Sequence, residues 1–330
     1  MTKRVLVTDY VWPSVEPERA VLAAAGAELV IAPDGNEETL AALAKDVDGI
    51  LTCFAKVTDK VVRAATKATV IGRYGVGLDN IAVDTATELG IIVTNVPDYC
   101  VDEVSTHAMA LLLALNRQVV LWDTSTKKTG WGSVPLNLPL NRLRGKKLGI
   151  IGFGKIGKAT AVKARGFGME VLANSSQLTD AEAARNGVKK VTLDDLLKES
   201  DFVSLHTPLT PATKNIIGRR ELALMKPTAN LINTARGPLI DEEALYDALS
   251  TGKLAGAAVD VVVDIHPPLG HKLLQLPNLI VTPHVAFYSP EAVLELEQRA
   301  AGEVASVLQG KMPANVVNPK VLSRARAKVG

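Results

Sequence analysis

Arg236 and His284 are the two side chains whose types and positions best suit catalysis. Arg236 comes after the apolar run Ala229–Ile232 and His284 after Leu279–Thr282, so both belong at carboxyl ends of strands, where α/β folds place ligands. A planar guanidinium binds a carboxylate with two hydrogen bonds and keeps its charge when desolvated. An imidazole titrates near neutrality, so it can protonate a keto oxygen and take the proton back. Acid/base chemistry on a keto acid therefore explains the two residues better than the alternatives, in which Arg236 forms a surface ion pair and His284 packs in the core.

A glycine-rich turn follows the strand-like run Leu148–Gly152 and opens a helical segment. Gly152, Gly154 and Gly157 form the pattern G-x-G-x-x-G. In such a turn the first glycine permits the tight bend and the second lets the backbone approach a pyrophosphate. The third lets the helix pack closely on the strand, and the helix N-terminus offers N–H groups to the phosphates. The pattern in this context predicts a dinucleotide-binding site.

The segment expected to contact the adenosine ribose has no acidic residue. NAD-specific folds place Asp or Glu there, about 20 residues after the turn. In this chain Asn174, Ser175 and Ser176 occupy the place; they could donate hydrogen bonds to a 2′-phosphate, but no arginine is there to hold it. The missing acid favours NADP slightly over NAD, and use of both coenzymes stays open.

Apolar runs and helical segments alternate along most of the chain, which predicts a doubly wound α/β fold with parallel strands. The long helical stretches Val101–Arg117 and Glu291–Leu308 bracket a second series of strands. We therefore expect residues 1–100 and 289–330 to form a substrate-binding domain, and residues 101–288 a dinucleotide-binding domain. The second series comprises the runs Leu148–Gly152, Glu170–Ala173, Phe202–Leu205, Ala229–Ile232, Ala255–Val259 and Leu279–Thr282.

The composition is that of an ordinary globular protein, with 47% hydrophobic and 22% charged residues. A formal net charge of +2 gives no reason to expect nucleic acid or a membrane surface as a partner. The two cysteines, Cys53 and Cys100, lack metal-ligand spacing, so neither a metal site nor a disulfide framework is expected. No apolar run reaches the length of a membrane span, which favours a cytoplasmic protein.

Several ordered segments resemble the D-2-hydroxyacid dehydrogenase family, and the resemblance covers most of the chain. Phe287–Ser289 and Thr8–Tyr10 are most similar to the branch that includes the C-terminal-binding proteins. The segments typical of the family are Arg73–Ile81, Leu143–Leu148, His206–Thr210, Asn233–Gly237 with Asp241 and Glu242, Gly256–Val261 and Thr282–His284.

The resemblance implies an NAD(P)-dependent oxidoreductase that interconverts a small 2-oxoacid and its D-2-hydroxyacid. It implies a Rossmann domain inserted in a flavodoxin-like domain, with Arg236 on the substrate carboxylate and His284 as acid/base. The backbone N–H groups of Gly75, Val76 and Gly77 would also bind the substrate carboxylate. The cofactor would contact Gly152, Gly154, Lys155, Ile156, Gly157, Ser175, Thr207, Pro208, Thr213, Thr234, Ala235, Arg236 and Asp260, the last near the carboxamide.

The resemblance also implies a homodimer. Val101–Arg117 and the Trp122–Trp131 region are its expected interface.

The chain departs from the family at the glutamate that normally stands five residues after Asp260 and binds the catalytic histidine. Ile265 takes that place. Isoleucine cannot orient an imidazole or stabilise its cation, so proton delivery by the histidine should be weaker.

Three explanations stay open. Asp264 or His266 could replace the glutamate if the loop is shifted by one residue. The substrate could be an unusual one that needs less proton chemistry, as in the related formate dehydrogenases. The protein could instead be a dinucleotide sensor with little or no turnover, like the C-terminal-binding corepressors. Because Arg236 and His284 are both present, the enzyme is favoured.

Overall fold

The computed structural model describes residues 2–131, 140–264 and 267–330. Contacts divide the chain into two compact units, one running to Tyr99 and resuming at Ser289–Gly330, the other Cys100–Tyr288. The strands are β1 (Lys3–Val7), β2 (Ala27–Ile31), β3 (Gly49–Thr52), β4 (Val70–Arg73), β5 (Ile92–Thr94), β6 (Lys147–Ile151), β7 (Glu170–Asn174), β8 (Lys189–Lys190), β9 (Phe202–Leu205), β10 (Asn230–Asn233), β11 (Gly256–Val259) and β12 (Leu279–Val281).

Helices alternate with these strands in both units. They are α1 (Glu16–Ala24), α2 (Glu37–Ala44), α3 (Asp59–Ala64), α4 (Val83–Glu88), α5 (Val101–Arg117), α6 (Val119–Thr129), α7 (Lys155–Gly166), α8 (Asp180–Arg185), α9 (Leu193–Glu199), α10 (Arg219–Leu224), α11 (Glu242–Ser250) and α12 (Pro290–Leu308).

The first unit is a five-stranded parallel sheet in the order β2-β1-β3-β4-β5. This is the flavodoxin-like order. Every residue of β3 and β4 is buried, as expected for strands with helices on both faces. Gly72 lets α12 approach β4, because a Cβ atom there would lie 2.6 Å from the Val304 side chain.

The second unit is a seven-stranded parallel sheet in the order β12-β11-β10-β9-β6-β7-β8. Counted from β6, six of its strands follow the Rossmann order 3-2-1-4-5-6, and β12 adds a seventh at the edge. Side chains of α5 and α7 cover one face of the sheet, and those of α9, α10 and α11 cover the other. The predicted fold class, two doubly wound parallel α/β sheets, is confirmed.

Among the described residues, no single helix has both the length and the apolar composition of a membrane span; α5 and α6, bent by 57° at their junction, meet those criteria only as a pair. The same residues contain no group of three or more His, Cys, Asp or Glu side chains arranged to hold a metal ion.

Candidate active site

Two of the three glycines after β6 are explained by close contacts, and the third by open space beside it. Gly152 has a φ of +92°, and a Cβ atom there would lie 2.5 Å from the His206 carbonyl. A Cβ atom on Gly157 would lie 2.3 Å from the Gly152 carbonyl oxygen, so this glycine lets α7 pack against the turn. A Cβ atom on Gly154 would meet nothing within 4 Å. The backbone is therefore open at the middle glycine, where the sequence predicts a pyrophosphate.

The N-terminus of α7 suits an anion. Gly154 is its N-cap residue and provides no side-chain hydrogen bond to the helix. Lys155 and Ile156 are the first two residues of the helix. The backbone N–H groups of a first turn make no hydrogen bond within the helix, and the positive end of the helix dipole lies there. These features fit the diphosphate of a dinucleotide.

At the end of β7, only part of the predicted ribose-binding segment is available to a ligand. The Asn174 side-chain amide donates to the Val191 carbonyl at 2.9 Å, so it braces β7 against the chain after β8. Ser175 is half-buried and Ser176 is exposed. The two serine hydroxyls therefore remain as the candidate donors to the ribose or its phosphate.

The loop after β9 lies beside the glycine turn. The N–H of His206 donates to the Ile151 carbonyl at 2.7 Å, and its ring lies 2.9 Å from the Ser204 hydroxyl. Burial of the ring lowers the pKa of His206 to about 4, so the imidazole is neutral at physiological pH. A Cβ atom on Gly152 would lie 2.6 Å from the nitrogen of Thr207, which shows how closely this loop approaches the turn.

Thr213 has a structural contact in the same loop. Its hydroxyl accepts the Thr210 N–H at 2.8 Å and donates to the Pro208 carbonyl at 2.7 Å. A hydroxyl engaged in this way shapes the Pro208–Thr210 turn. Its predicted contact with the cofactor stays a prediction.

The turn after β10 positions Arg236. The buried Asn233 side chain donates to the Arg236 carbonyl at 2.8 Å and accepts the Ala235 N–H at 3.0 Å. A Cβ atom on Gly237 would lie 2.2 Å from the Val262 backbone, so the chain that follows β11 packs directly against this turn. The Thr234 hydroxyl is buried without a hydrogen-bond partner in the described structure. A buried polar atom left unpaired at a strand end fits a bound ligand.

The turn after β12 holds His284 in a left-handed conformation, with φ +55°. Its N–H donates to the backbone carbonyl of Asp260 at 2.8 Å. The Asp260 carboxylate accepts the N–H groups of Val285 and Ala286, at 3.0 and 2.8 Å, and the Thr282 hydroxyl at 2.5 Å. Left-handed backbone is unfavourable for a residue other than glycine, so the surrounding contacts must hold it.

Asp260 therefore positions the histidine turn, a role that the sequence did not reveal. Its side chain has no exposed surface. The predicted contact between this carboxylate and the cofactor's carboxamide stays a prediction.

Arg236 and His284 lie at the same edge of the sheet. Strands β10 and β12 are separated only by β11, so their backbones are roughly 10 Å apart. The glycine turn lies at the same edge, because every strand of this sheet is parallel to its neighbours. The predicted proton carrier, carboxylate clamp and dinucleotide turn are thus brought to one edge of the second unit.

In the first unit, the buried guanidinium of Arg73 shapes the loop that contains Gly75, Val76 and Gly77. Its Nε donates to the Gly77 carbonyl at 3.1 Å, and its Nη1 donates to the carbonyl of Tyr74. Sequence reasoning did not predict this contact, although the residue belongs to the Arg73–Ile81 segment.

The three N–H groups predicted to bind the substrate differ in their contacts within the loop, and their contact with the substrate stays a prediction. The Gly75 N–H donates to the Arg73 carbonyl at 2.9 Å, so it is already used within the loop. The N–H groups of Val76 and Gly77 donate to no acceptor within the described part of the chain. They remain the candidate donors to a carboxylate.

The family glutamate is expected at or beside positions 264–266. Ile265 and His266 lie outside the described residues. Asp264 is exposed, and the preceding Val263 donates its N–H to the Glu242 carboxylate at 2.6 Å.

A glyoxylate reductase of Thermococcus litoralis is 40% identical over 285 residues, covering 84% of this chain and 86% of the relative. A D-3-phosphoglycerate dehydrogenase of Methanocaldococcus jannaschii is 40% identical over 317 residues. That match covers 96% of this chain, which spans only 59% of the relative's length.

A solved structure of a relative has the same fold as this chain. The NADPH-dependent glyoxylate/hydroxypyruvate reductase of Sinorhizobium meliloti, in complex with NADP and malonate, superposes with a TM-score of 0.87 at 27% identity. The match covers 97% of this chain and 98% of that one. The model of the NAD-binding domain of D-isomer specific 2-hydroxyacid dehydrogenases matches residues 109–286. The chain therefore belongs to the D-isomer specific 2-hydroxyacid dehydrogenase family, whose members are NAD(P)-dependent oxidoreductases.

Proposed function

We propose that this enzyme reduces a small 2-oxoacid to its D-2-hydroxyacid, and catalyses the reverse oxidation, with Arg236 and His284 as catalytic residues. The observation that carries the proposal is their placement on either side of β11, at the sheet edge that also carries the glycine turn. Parallel α/β sheets bind their ligands at this edge.

The residues divide the reaction between them. The turn from Gly152 to Gly157 and the Thr234 hydroxyl would hold NAD(P), which supplies the hydride for reduction when it is bound. Arg236 binds the substrate carboxylate and polarises the keto carbonyl. His284 gives its proton to the carbonyl oxygen as the carbon receives the hydride, and accepts it in the reverse direction.

The first unit is proposed as the substrate-binding domain. Val76 and Gly77 have N–H groups of the kind that bind a carboxylate, and Arg73 fixes the loop that presents them.

NADP is the proposed coenzyme of preference. No acidic side chain follows β7 to bind a ribose diol or repel a 2′-phosphate, while Ser175 and Ser176 offer hydroxyl donors.

A second copy of this chain is the proposed partner. Helix α6 has no buried residue, and Val119, Val120 and Leu121 are 54%, 50% and 39% exposed at its start. Trp131, just beyond the helix, is 96% exposed. Burying these side chains against a second copy would remove their exposed apolar area from water. Light scattering should find a dimer at micromolar concentration, and a monomer would contradict the proposal.

The function is tested by following the absorbance of NADH and NADPH with glyoxylate, pyruvate, hydroxypyruvate and phenylpyruvate. We expect turnover with at least one acid, faster with NADPH. The glyoxylate reductase from T. litoralis makes glyoxylate the first substrate to try. Tight dinucleotide binding without turnover on any acid would contradict the reductase and favour a sensor.

A further inference from the structure

A second histidine lies close to two residues that support the His284 turn. His107, on α5, places its Nε2 atom 3.0 Å from the Thr282 hydroxyl and 3.7 Å from the Asp260 carboxylate. Its side chain is 24% exposed, whereas that of Asp260 has no exposed surface. The buried carboxylate therefore has an imidazole as a neighbour.

The hydrogen-bonding capacities of these groups determine which atom carries the proton. A threonine hydroxyl has one proton, and an ionised carboxylate only accepts. The Thr282 hydroxyl lies 2.5 Å from an Asp260 oxygen, so it donates its proton there. It must then accept from His107, whose Nε2 therefore carries a proton. The result is a directed chain of donors from His107 through Thr282 to Asp260.

This chain ends on the catalytic turn. The carboxylate of Asp260 accepts the N–H groups of the two residues that follow His284, and its backbone carbonyl accepts the N–H of His284 itself. The Thr282 hydroxyl, held in turn by His107, helps to fix the orientation of the carboxylate. The left-handed backbone of His284 depends on that orientation.

We propose that His107 is a positioning residue for His284, acting through Thr282 and Asp260. The proposal rests on the function proposed above, because it assigns His284 as the proton carrier. In an ungapped alignment Ile265 stands where the resemblance implies a glutamate that orients the histidine, so a second source of support would matter more in this chain. Support for the turn then comes from the α5 side of the sheet.

The test compares His107→Leu, which removes the donor, with His107→Gln, which keeps an N–H donor at a similar distance along the side chain. Thr106→Ala, an exposed change at the preceding position, is the control. We expect His107→Leu to lower kcat about tenfold, because it removes the hydrogen bond to Thr282 that supports the turn, and to shift its pH profile. The coenzyme KM should stay within about twofold, and His107→Gln should restore most of the rate.

Thr282→Val breaks the same chain without changing His107. It should lower kcat to a similar extent, and the double variant with His107→Leu should be little worse than either single variant. Additive losses, or wild-type kcat and pH profile in His107→Leu, would overturn the proposal. If His107→Leu does not fold, the comparison of Thr282→Val with Thr282→Ser, which keeps the hydroxyl, decides in its place.

A readout that needs no turnover separates this proposal from the enzymatic one. The imidazole resonances of His284 should shift, and titrate differently, in His107→Leu but not in His107→Gln. An unchanged His284 titration in His107→Leu overturns the positioning role even if the protein is an active reductase. Absence of turnover in the wild-type protein instead overturns the proposed function, and the His284 titration still reports whether His107 controls the turn.

Discussion

The N–H of His284 donates to the backbone carbonyl of Asp260 at 2.8 Å, while the carboxylate of the same aspartate accepts the next two N–H groups of the turn. One residue at the end of β11 thereby fixes the conformation of the candidate proton carrier at the end of β12. The left-handed φ of +55° at His284 is a consequence of that bracing.

Replacing Asp260 with asparagine should therefore impair catalysis. An amide has one acceptor atom in place of two, so its NH₂ group would face the N–H of Val285 or Ala286. We expect kcat to fall about tenfold or more, with a lower Tm. Steady-state kinetics and thermal unfolding check this, with the exposed Asp180→Asn as control. A variant with wild-type kcat would show that the turn keeps its shape without the carboxylate.

The glycine turn allows fold and ligand effects to be separated. Gly157→Ala forces a methyl group to within 2.3 Å of the Gly152 carbonyl oxygen, so its Tm should fall by at least about 3 °C. At Gly154 a methyl group meets nothing within 4 Å, so Gly154→Ala should keep the wild-type Tm. It should nevertheless weaken dinucleotide binding, because the methyl group occupies the open face of the turn. Thermal unfolding and fluorescence titration with NADPH measure both effects; unchanged affinity in Gly154→Ala would place the pyrophosphate elsewhere.

A buried carboxylate pair in the first unit should make stability depend on pH. Burial, the nearby charge of Glu18 and a hydrogen bond with Glu18 raise the pKa of Glu297 from 4.5 to about 8. The Tyr74 hydroxyl donates to the Glu18 carboxylate at 3.0 Å. Because the folded state holds this proton more tightly than the unfolded chain, the stabilisation is complete below pH 4.5 and is lost as the pH rises through about 8.

Glu297→Gln removes this titration. The free energy of unfolding of the variant, relative to wild type, should increase between about pH 5 and about pH 9 in denaturant titrations. Glu295→Gln, at a half-exposed position on the same helix, is the control and should show no such trend. A difference between Glu297→Gln and wild type that does not change with pH would mean that the pair holds no shared proton.

Because no acidic residue follows β7, introducing one there should change the coenzyme preference. Ser175→Asp introduces a carboxylate that can bind a ribose diol and repels a 2′-phosphate. We expect the ratio of kcat/KM for NADPH over NADH to fall at least about tenfold. Ser250→Asp, an exposed site at the end of α11, controls for the added charge. An unchanged ratio in Ser175→Asp would remove Ser175 from the coenzyme site.

Features carried by local sequence were predictable, whereas those that depend on distant partners were not. Residues Val101–Arg117 form α5 as expected, since apolar side chains recur there with helical spacing. The roles of Asp260 and Arg73 were missed. Asp260 binds a turn that begins 22 residues later. The role of Arg73 is visible only in the folded loop, where its guanidinium donates to backbone carbonyl groups.

Two further differences have local causes. Strand β8 was not predicted because its two exposed lysines carry no apolar pattern. Gly75 was expected to offer its N–H to a substrate, and that contact stays a prediction; a sequence cannot show that this N–H also donates to the Arg73 carbonyl within the loop.

The central claim is that Arg236 and His284 catalyse 2-oxoacid reduction, and it is tested most directly by the pH dependence of kcat/KM for wild type and His284→Gln with glyoxylate and NADPH. A matched Arg236→Lys variant keeps the charge but loses the planar fork. We expect a pH-dependent wild-type profile, a loss of about 100-fold or more with a flat profile in His284→Gln, and a raised KM with reduced kcat in Arg236→Lys. A His284→Gln enzyme with the wild-type rate and profile would contradict the account, because another group would then carry the proton.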